Sequence, residues 1–208
     1  MSYLLHIEVS PLGDNSVSRG ISQEFISAWS TAHPAGDVVL RDLAEHPVPH
    51  LDLEAIFAGR TPADQRTPSM AAKLKYRHEL IAEITGADEI IISAPMWNWS
   101  IPSVLKAYFD QIIMSGTLDA SGAQGLTGKK ITFVVAQGGS YAQGAPRAGW
   151  DYGTGYLKLI ANALGATDVE IIVAEFTLAG IAPGMESFID AKAASIESAR
   201  KVARNRAA

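Results

Sequence analysis

Apolar residues along the chain fall into two alternating rhythms. Short runs rich in Ile and Val occupy Leu4–Val9, Val38–Leu40, Ile90–Ala94, Ile131–Ala136 and Val169–Ala174, each bounded by turn residues. Continuous runs of this length predict strands of a parallel sheet, buried on both faces. Between them, apolar positions recur every three or four residues: Ile21, Phe25, Ala28 and Trp29; Met70, Leu74, Ile81 and Ile84; Leu105, Tyr108, Phe109 and Ile112; Leu157, Ile160, Ala161 and Leu164. That spacing predicts amphipathic helices, and a last helix is expected from Glu186 to Ala203. Strands alternating with helices predict an α/β fold, a doubly wound five-stranded parallel sheet with helices on both faces and right-handed crossovers, as one domain over residues 1–208. The stretch His46–Thr67, with Pro47, Pro49 and Pro62 and no clear period, reads as a long irregular connection that packs on the domain or serves a site.

Composition narrows the function. A chain of 208 residues, 48% of them apolar, can bury one real core. The net charge of −5 has no block of like charges behind it, which argues against nucleic acid as a partner. With no cysteine there is no disulfide, thiolate metal site or cysteine nucleophile, so redox work would need a bound cofactor; this usage fits a cytoplasmic protein. Met1–Val9 lacks a basic start and carries His6 and Glu8 within its apolar run, so it reads as a strand rather than a signal peptide or a membrane span.

In open α/β sheets ligands bind beyond the carboxyl ends of the strands, where the strand order reverses. After the first strand, Ser10-Pro-Leu-Gly-Asp-Asn-Ser16-Val17-Ser18 runs straight into a helix. Hydroxyls and the free N–H groups of a helix start suit a phosphate, although plain helix capping uses the same residues. No Gly-Lys-Ser/Thr or Gly-x-Gly-x-x-Gly pattern is present there, so a monophosphate held without lysine or metal fits better than a nucleotide loop. After the third strand, Pro95-Met96-Trp97-Asn98-Trp99 offers a flat apolar wall with an amide beside it, suited to an isoalloxazine ring; the alternative is a surface loop tucking its aromatics into the core. After the fourth, Ala136-Gln137-Gly138-Gly139 combines small residues with backbone N–H groups that can approach a planar ligand.

These segments, with Arg41-Asp42-Leu43 and Gly128-Lys129-Lys130, resemble the FMN-dependent NADH:azoreductase/quinone reductase family across almost the whole chain. The resemblance implies a flavodoxin-like fold, a homodimer with FMN near its interface, NADH or NADPH as reductant, and a quinone or azo compound reduced in alternating half-reactions. It places Ser10, Ser16, Val17 and Ser18 at the phosphate, Pro95 to Trp99 along the flavin, and Ala136 to Gly139 at its pyrimidine side. The chain departs from the family in carrying Trp97 and Trp99 where Tyr and Phe are usual, and in a Thr117–Thr127 stretch shorter than the family's aromatic-bearing loop.

Other motifs carry less. Two prolines separate His46 from His50 and no third ligand lies near in sequence, which disfavours a metal site. Gly-x-Ser-x-Gly is absent, which disfavours hydrolysis. His78, between Arg77 and Glu79, reads as part of a solvated helix face. A flavodoxin-type electron carrier and a phosphate-ligand binding module without turnover remain as alternatives, the first disfavoured by the mild acidity of the chain.

Overall fold

Five parallel strands, β1 (Tyr3–Glu8), β2 (Asp37–Asp42), β3 (Glu89–Pro95), β4 (Lys130–Ala136) and β5 (Asp168–Ala174), hydrogen-bond in the order β2-β1-β3-β4-β5. The structure is a computed structural model that describes residues 3–119 and 125–208. Residues 120–124, within the Thr117–Thr127 stretch, lie outside the described residues. Among the described residues six α-helices accompany the sheet: α1 (Val17–Ala32), α2 (Leu53–Ala58), α3 (Pro68–Gly86), α4 (Ser103–Ile112), α5 (Gly153–Ala163) and α6 (Ile189–Ala207).

The period-two geometry of the strands sorts their side chains into two cores. Leu5, Ile7, Ile90, Ile92, Ile131 and Phe133 face α3, α4 and α5 through Leu80, Ile84, Leu105, Phe109 and Leu157. Leu4, Ile91, Val134 and Ile172 face the other way, toward Phe25 and Trp29 of α1 and the small Ala199 and Ala203 of α6. The expected fold and its five strands are therefore present, with no strand end more than two residues from the expected one.

Two expectations change. β2 is an edge strand, and Val38, Val39 and Leu40 are exposed rather than buried, because no further strand or helix among the described residues covers that margin. The His46–Thr67 stretch is not wholly irregular. Asp52 accepts from Ala55 N at 2.9 Å and so starts the short α2, whose Ala55 and Ala58 are buried. The segment is held down by Gln111 Nε2 donating to Pro49 O at 2.7 Å and by buried Arg77, which donates to Ala55 O at 3.2 Å, Gln111 O at 2.8 Å and Ile113 O at 2.9 Å. Arg77 thus ties α2, α3 and the end of α4 together, while its neighbour His78 is exposed as expected. Among the described residues no helix is long and apolar enough to cross a membrane.

Candidate functional site

The chain order places β1 and β3 side by side, and the loops leaving their carboxyl ends open outward between them. A cavity of about 270 Å³ lies there, lined by Ser10, Ser16, Val17, Ser18, Pro95, Met96, Trp97, Ala136 and Gly138. Nine of the residues singled out from the sequence thus share one cavity, contributed by three separate loops.

The β1 loop gathers hydroxyls and free helix N–H groups at the cavity. Ser16 caps α1, its Oγ accepting from Arg19 N at 3.3 Å, and lies 3.2 Å from Ser18 Oγ. Ser10, Ser16 and Ser18 are all buried. Among the described residues no hydrogen bond engages the N–H groups of Val17 and Ser18, which belong to the first turn of α1 and have no intrahelical partner. Below this loop Glu8 is buried in a polar network: it accepts from Ser93 Oγ at 2.9 Å and lies 3.2 Å from His6 Nε2 and 3.4 Å from Arg19 Nε. Arg19 also pairs with Asp42 at 2.9 Å, so the guanidinium is bound to carboxylates and pins the start of α1 to the sheet.

The β3 loop is a tight reversal. Met96 N donates to Ala136 O at 2.8 Å, which seats the loop on β4. Trp97 and Ser100 exchange backbone hydrogen bonds at 3.0 Å in both directions, and the two residues between them have positive φ, 48° at Asn98 and 64° at Trp99. That is the pattern of a type I′ turn, which Asn tolerates and Trp adopts only under strain. Trp97 lines the cavity. Asn98 faces a second, adjoining hollow of about 460 Å³ with Trp97, Pro102, Lys106 and Tyr156. Trp99 lines neither; it packs edge-on against Trp150 with ring centroids 5.4 Å apart.

The β4 loop divides its duties. Ala136 and Gly138 line the cavity, whereas Gln137 is buried and turned away, its amide donating to Asp151 Oδ2 at 2.7 Å. A Cβ on Gly138 would meet the Leu178 side chain at 2.7 Å and require it to shift. A Cβ on Gly139 would meet nothing within 4 Å, and Gly139 does not line the cavity.

Sequence reasoning missed the fourth wall. Thr177, Leu178, Ile181 and Lys192, from the segment after β5 and the first turn of α6, line the cavity too, as do Leu12 and Asn15 of the β1 loop. Thr177 is fixed by its N and Oγ1 both donating to Gln137 O at 2.9 Å. The signal available was positional: Glu175–Gly184, rich in Gly and Pro turn residues, also leaves a strand at the carboxyl rim.

Comparison with known proteins agrees with this fold. Residues 2–203 match the family described as having a flavodoxin-like fold. The chain is 44% identical over its full length, and over the full length of the relative, to an FMN-dependent NADH:quinone oxidoreductase of Parafrankia sp. (strain EAN1pec). Among solved structures, an azoreductase from Bacillus anthracis str. Sterne superposes with a TM-score of 0.84 at 24% identity, covering 100% of this chain and 99% of that one. An FMN-dependent NADH-azoreductase from B. anthracis str. Ames Ancestor, in complex with FMN, gives 0.78 at 24% identity, covering 98% and 100%. With the family match spanning nearly every residue and a full-length relative far above 30% identity, the chain belongs to the flavodoxin-like family of FMN-dependent NADH:quinone oxidoreductases.

Proposed function

We propose that this chain binds FMN at the carboxyl rim of its sheet and uses NADH or NADPH to reduce quinones and azo compounds in two-electron, ping-pong half-reactions. The observation that carries the reading is the convergence of buried hydroxyls, uncommitted helix N–H groups and an apolar wall on one cavity. These residues suit FMN chemically. A phosphate monoester needs several donors and no facing carboxylate, and the lining contains Ser10, Ser16 and Ser18 but no Asp or Glu. A planar ring needs an apolar wall, and Met96, Trp97 and Leu178 provide one.

Bound flavin supplies reversible hydride chemistry, which no side chain of this protein offers. The chain's own residues bind, orient and shield. Ser10, Ser16 and Ser18 hydroxyls with the Val17 and Ser18 N–H groups hold the phosphate end. Among the described residues the N–H groups of Gly138 and Gly139 donate to nothing, leaving them free to stabilise negative charge at a ring edge. Met96 and Trp97 keep water from the reacting face, and no side-chain acid or base is required.

One face has to admit nicotinamide and acceptor in turn, so the two should not be bound together. We also propose a homodimer. Trp97, Trp99, Trp150 and Tyr152 are exposed around the rim and Leu53, Ile56 and Phe57 on the 46–67 segment, more apolar surface than a monomer of this size leaves open. Sedimentation velocity at micromolar concentration tests the dimer; a fully active monomer refutes it. The function is tested on the purified protein, which should be yellow, bleach with NADH without oxygen, and recolour with a naphthoquinone. Parallel double-reciprocal lines support the ping-pong order and intersecting lines refute it. A protein that takes up no FMN refutes the reading altogether.

A further inference from the structure

Two cations stand at the rim beside the serine loop, Arg19 in the first turn of α1 and Lys192 in the first turn of α6. Both helices begin at the carboxyl rim, because α1 follows β1 and α6 follows β5, and they pack side by side through Phe25, Trp29, Ala199 and Ala203. Their charges are committed differently. Arg19 is paired with Asp42 at 2.9 Å and Glu8 at 3.4 Å, and it does not line the cavity. Lys192 lines the cavity and is the one charged side chain among its lining residues. Among the described residues it has no ion pair, and its ammonium donates to a neutral group, Ala179 O, at 3.1 Å. A half-buried ammonium has three donors, and one carbonyl leaves two for a ligand.

We propose that Lys192 is the counter-charge of the cofactor's phosphate, reaching from α6 to the anion cradled by Ser10, Ser16 and Ser18. The assignment rests on the FMN reading above. Ala179 O accepts one hydrogen of the ammonium and so keeps it at the cavity, while its remaining hydrogens meet phosphate oxygens. The serine cradle is then not a charge-free site, and phosphate-bearing flavin is selected over its dephosphorylated form electrostatically as well as by hydrogen bonds.

The test compares FMN with riboflavin, which shares the ring and lacks the phosphate. The flavin-stripped full chain is titrated with each, following fluorescence quenching, for the unmodified protein, Lys192→Met, Lys192→Gln and Lys192→Arg, at low and high salt. Loss of the charge should weaken FMN roughly ten- to a hundredfold in Lys192→Met and Lys192→Gln while leaving riboflavin within about twofold. Lys192→Arg should retain most FMN affinity, and the salt dependence of FMN binding should shrink in the neutral variants. Equal weakening of FMN and riboflavin overturns the proposal, because Lys192 then only anchors the Ala179 segment. Unchanged FMN affinity in a neutral variant of a protein that does bind FMN overturns it and leaves the proposed function standing. An unmodified protein that binds neither flavin overturns both.

Discussion

Gln137 and Asp151 are joined by a 2.7 Å hydrogen bond from the Gln137 amide to Asp151 Oδ2, and that contact locks the carboxyl end of β4 to the start of α5. Asp151 also accepts from Gly153 N and Thr154 N at 2.9 Å and from Thr154 Oγ1 at 2.8 Å, so it caps α5 while holding Gln137. Gln137→Ala removes a buried donor and should cost about 1–3 kcal/mol of stability. Gln137→Glu is expected to be worse at neutral pH, because it sets two carboxylates against each other. One of the pair then has a raised pKa in the folded state, so the lost stability should return as pH falls. Urea unfolding at about pH 5 and about pH 8 checks this, and a Gln137→Glu variant equally unstable at both values contradicts it.

Ser16 and Ser18 separate a structural from a binding role. Ser16 caps α1, so Ser16→Ala should lower apoprotein stability by about 1 kcal/mol as well as weakening FMN. Ser18 lies inside the first turn and caps nothing. Ser18→Ala should therefore leave the apoprotein nearly as stable while weakening FMN by about 1.5–3 kcal/mol, the worth of a hydrogen bond to a charged group. Denaturation of the flavin-free protein, paired with an FMN titration, reads both quantities. Unchanged affinity in the double variant refutes the phosphate assignment.

Glu89 gives the stability a pH dependence. It is buried at the start of β3 and its Oε2 accepts from Trp29 Nε1 at 3.0 Å, while Oε1 has no partner among the described residues. Burial raises its carboxyl above the ordinary 4.5, opposed by Lys130, the Trp29 hydrogen bond, Arg206 and His33. The folded state therefore holds this proton more tightly than the unfolded one. The resulting stability is present below the ordinary carboxyl value and is lost as pH rises through the raised one. Glu89→Gln keeps an acceptor for Trp29 without the buried charge. It should raise stability near neutrality by on the order of 1 kcal/mol and flatten the slope from mildly acidic to neutral pH. A melting-temperature profile against pH that keeps the original slope would falsify this origin.

The fold was legible because strand runs and helical spacing agree along nearly the whole chain, and the three loops that line one cavity were legible because each leaves a strand at one rim. What sequence could not show were relations between distant segments. The Gly138-Gly139 pair, read as access for a ligand, also has a packing neighbour, since a Cβ at 138 would make the side chain of Leu178 shift. Gln137 looked like a loop residue facing a ligand, yet its partner lies fourteen residues on. Lys192, in an alanine-rich helix, belongs to no motif singled out from the sequence. Its place in the cavity depends on α6 starting at the same rim as α1, which no local pattern encodes.

Acceptor choice should rest on Trp97 rather than on both tryptophans of the β3 loop. Trp97 lines the main cavity and the adjoining hollow, whereas Trp99 is held against Trp150 on the outside of the turn. A planar acceptor stacking on Trp97 gains about 0.5–1.5 kcal/mol beyond burial, more for two fused rings than for one. Trp97→Ala should accordingly lower the ratio of kcat/KM for a naphthoquinone over benzoquinone by roughly two- to tenfold. The matching variant at the neighbouring position is Trp99→Gly rather than Trp99→Ala. At φ of 64° alanine keeps the backbone strain, whereas glycine after Asn98 makes the sequence a type I′ turn prefers. Trp99→Gly should thus be more stable than Trp99→Ala by on the order of 1 kcal/mol, a reversal of the usual order of these two residues. It also preserves the turn that positions Trp97, so it should leave the quinone ratio unchanged. If Trp99→Gly shifts that ratio as far as Trp97→Ala does, with flavin occupancy and oligomeric state retained, the acceptor wall extends beyond Trp97 and this assignment fails.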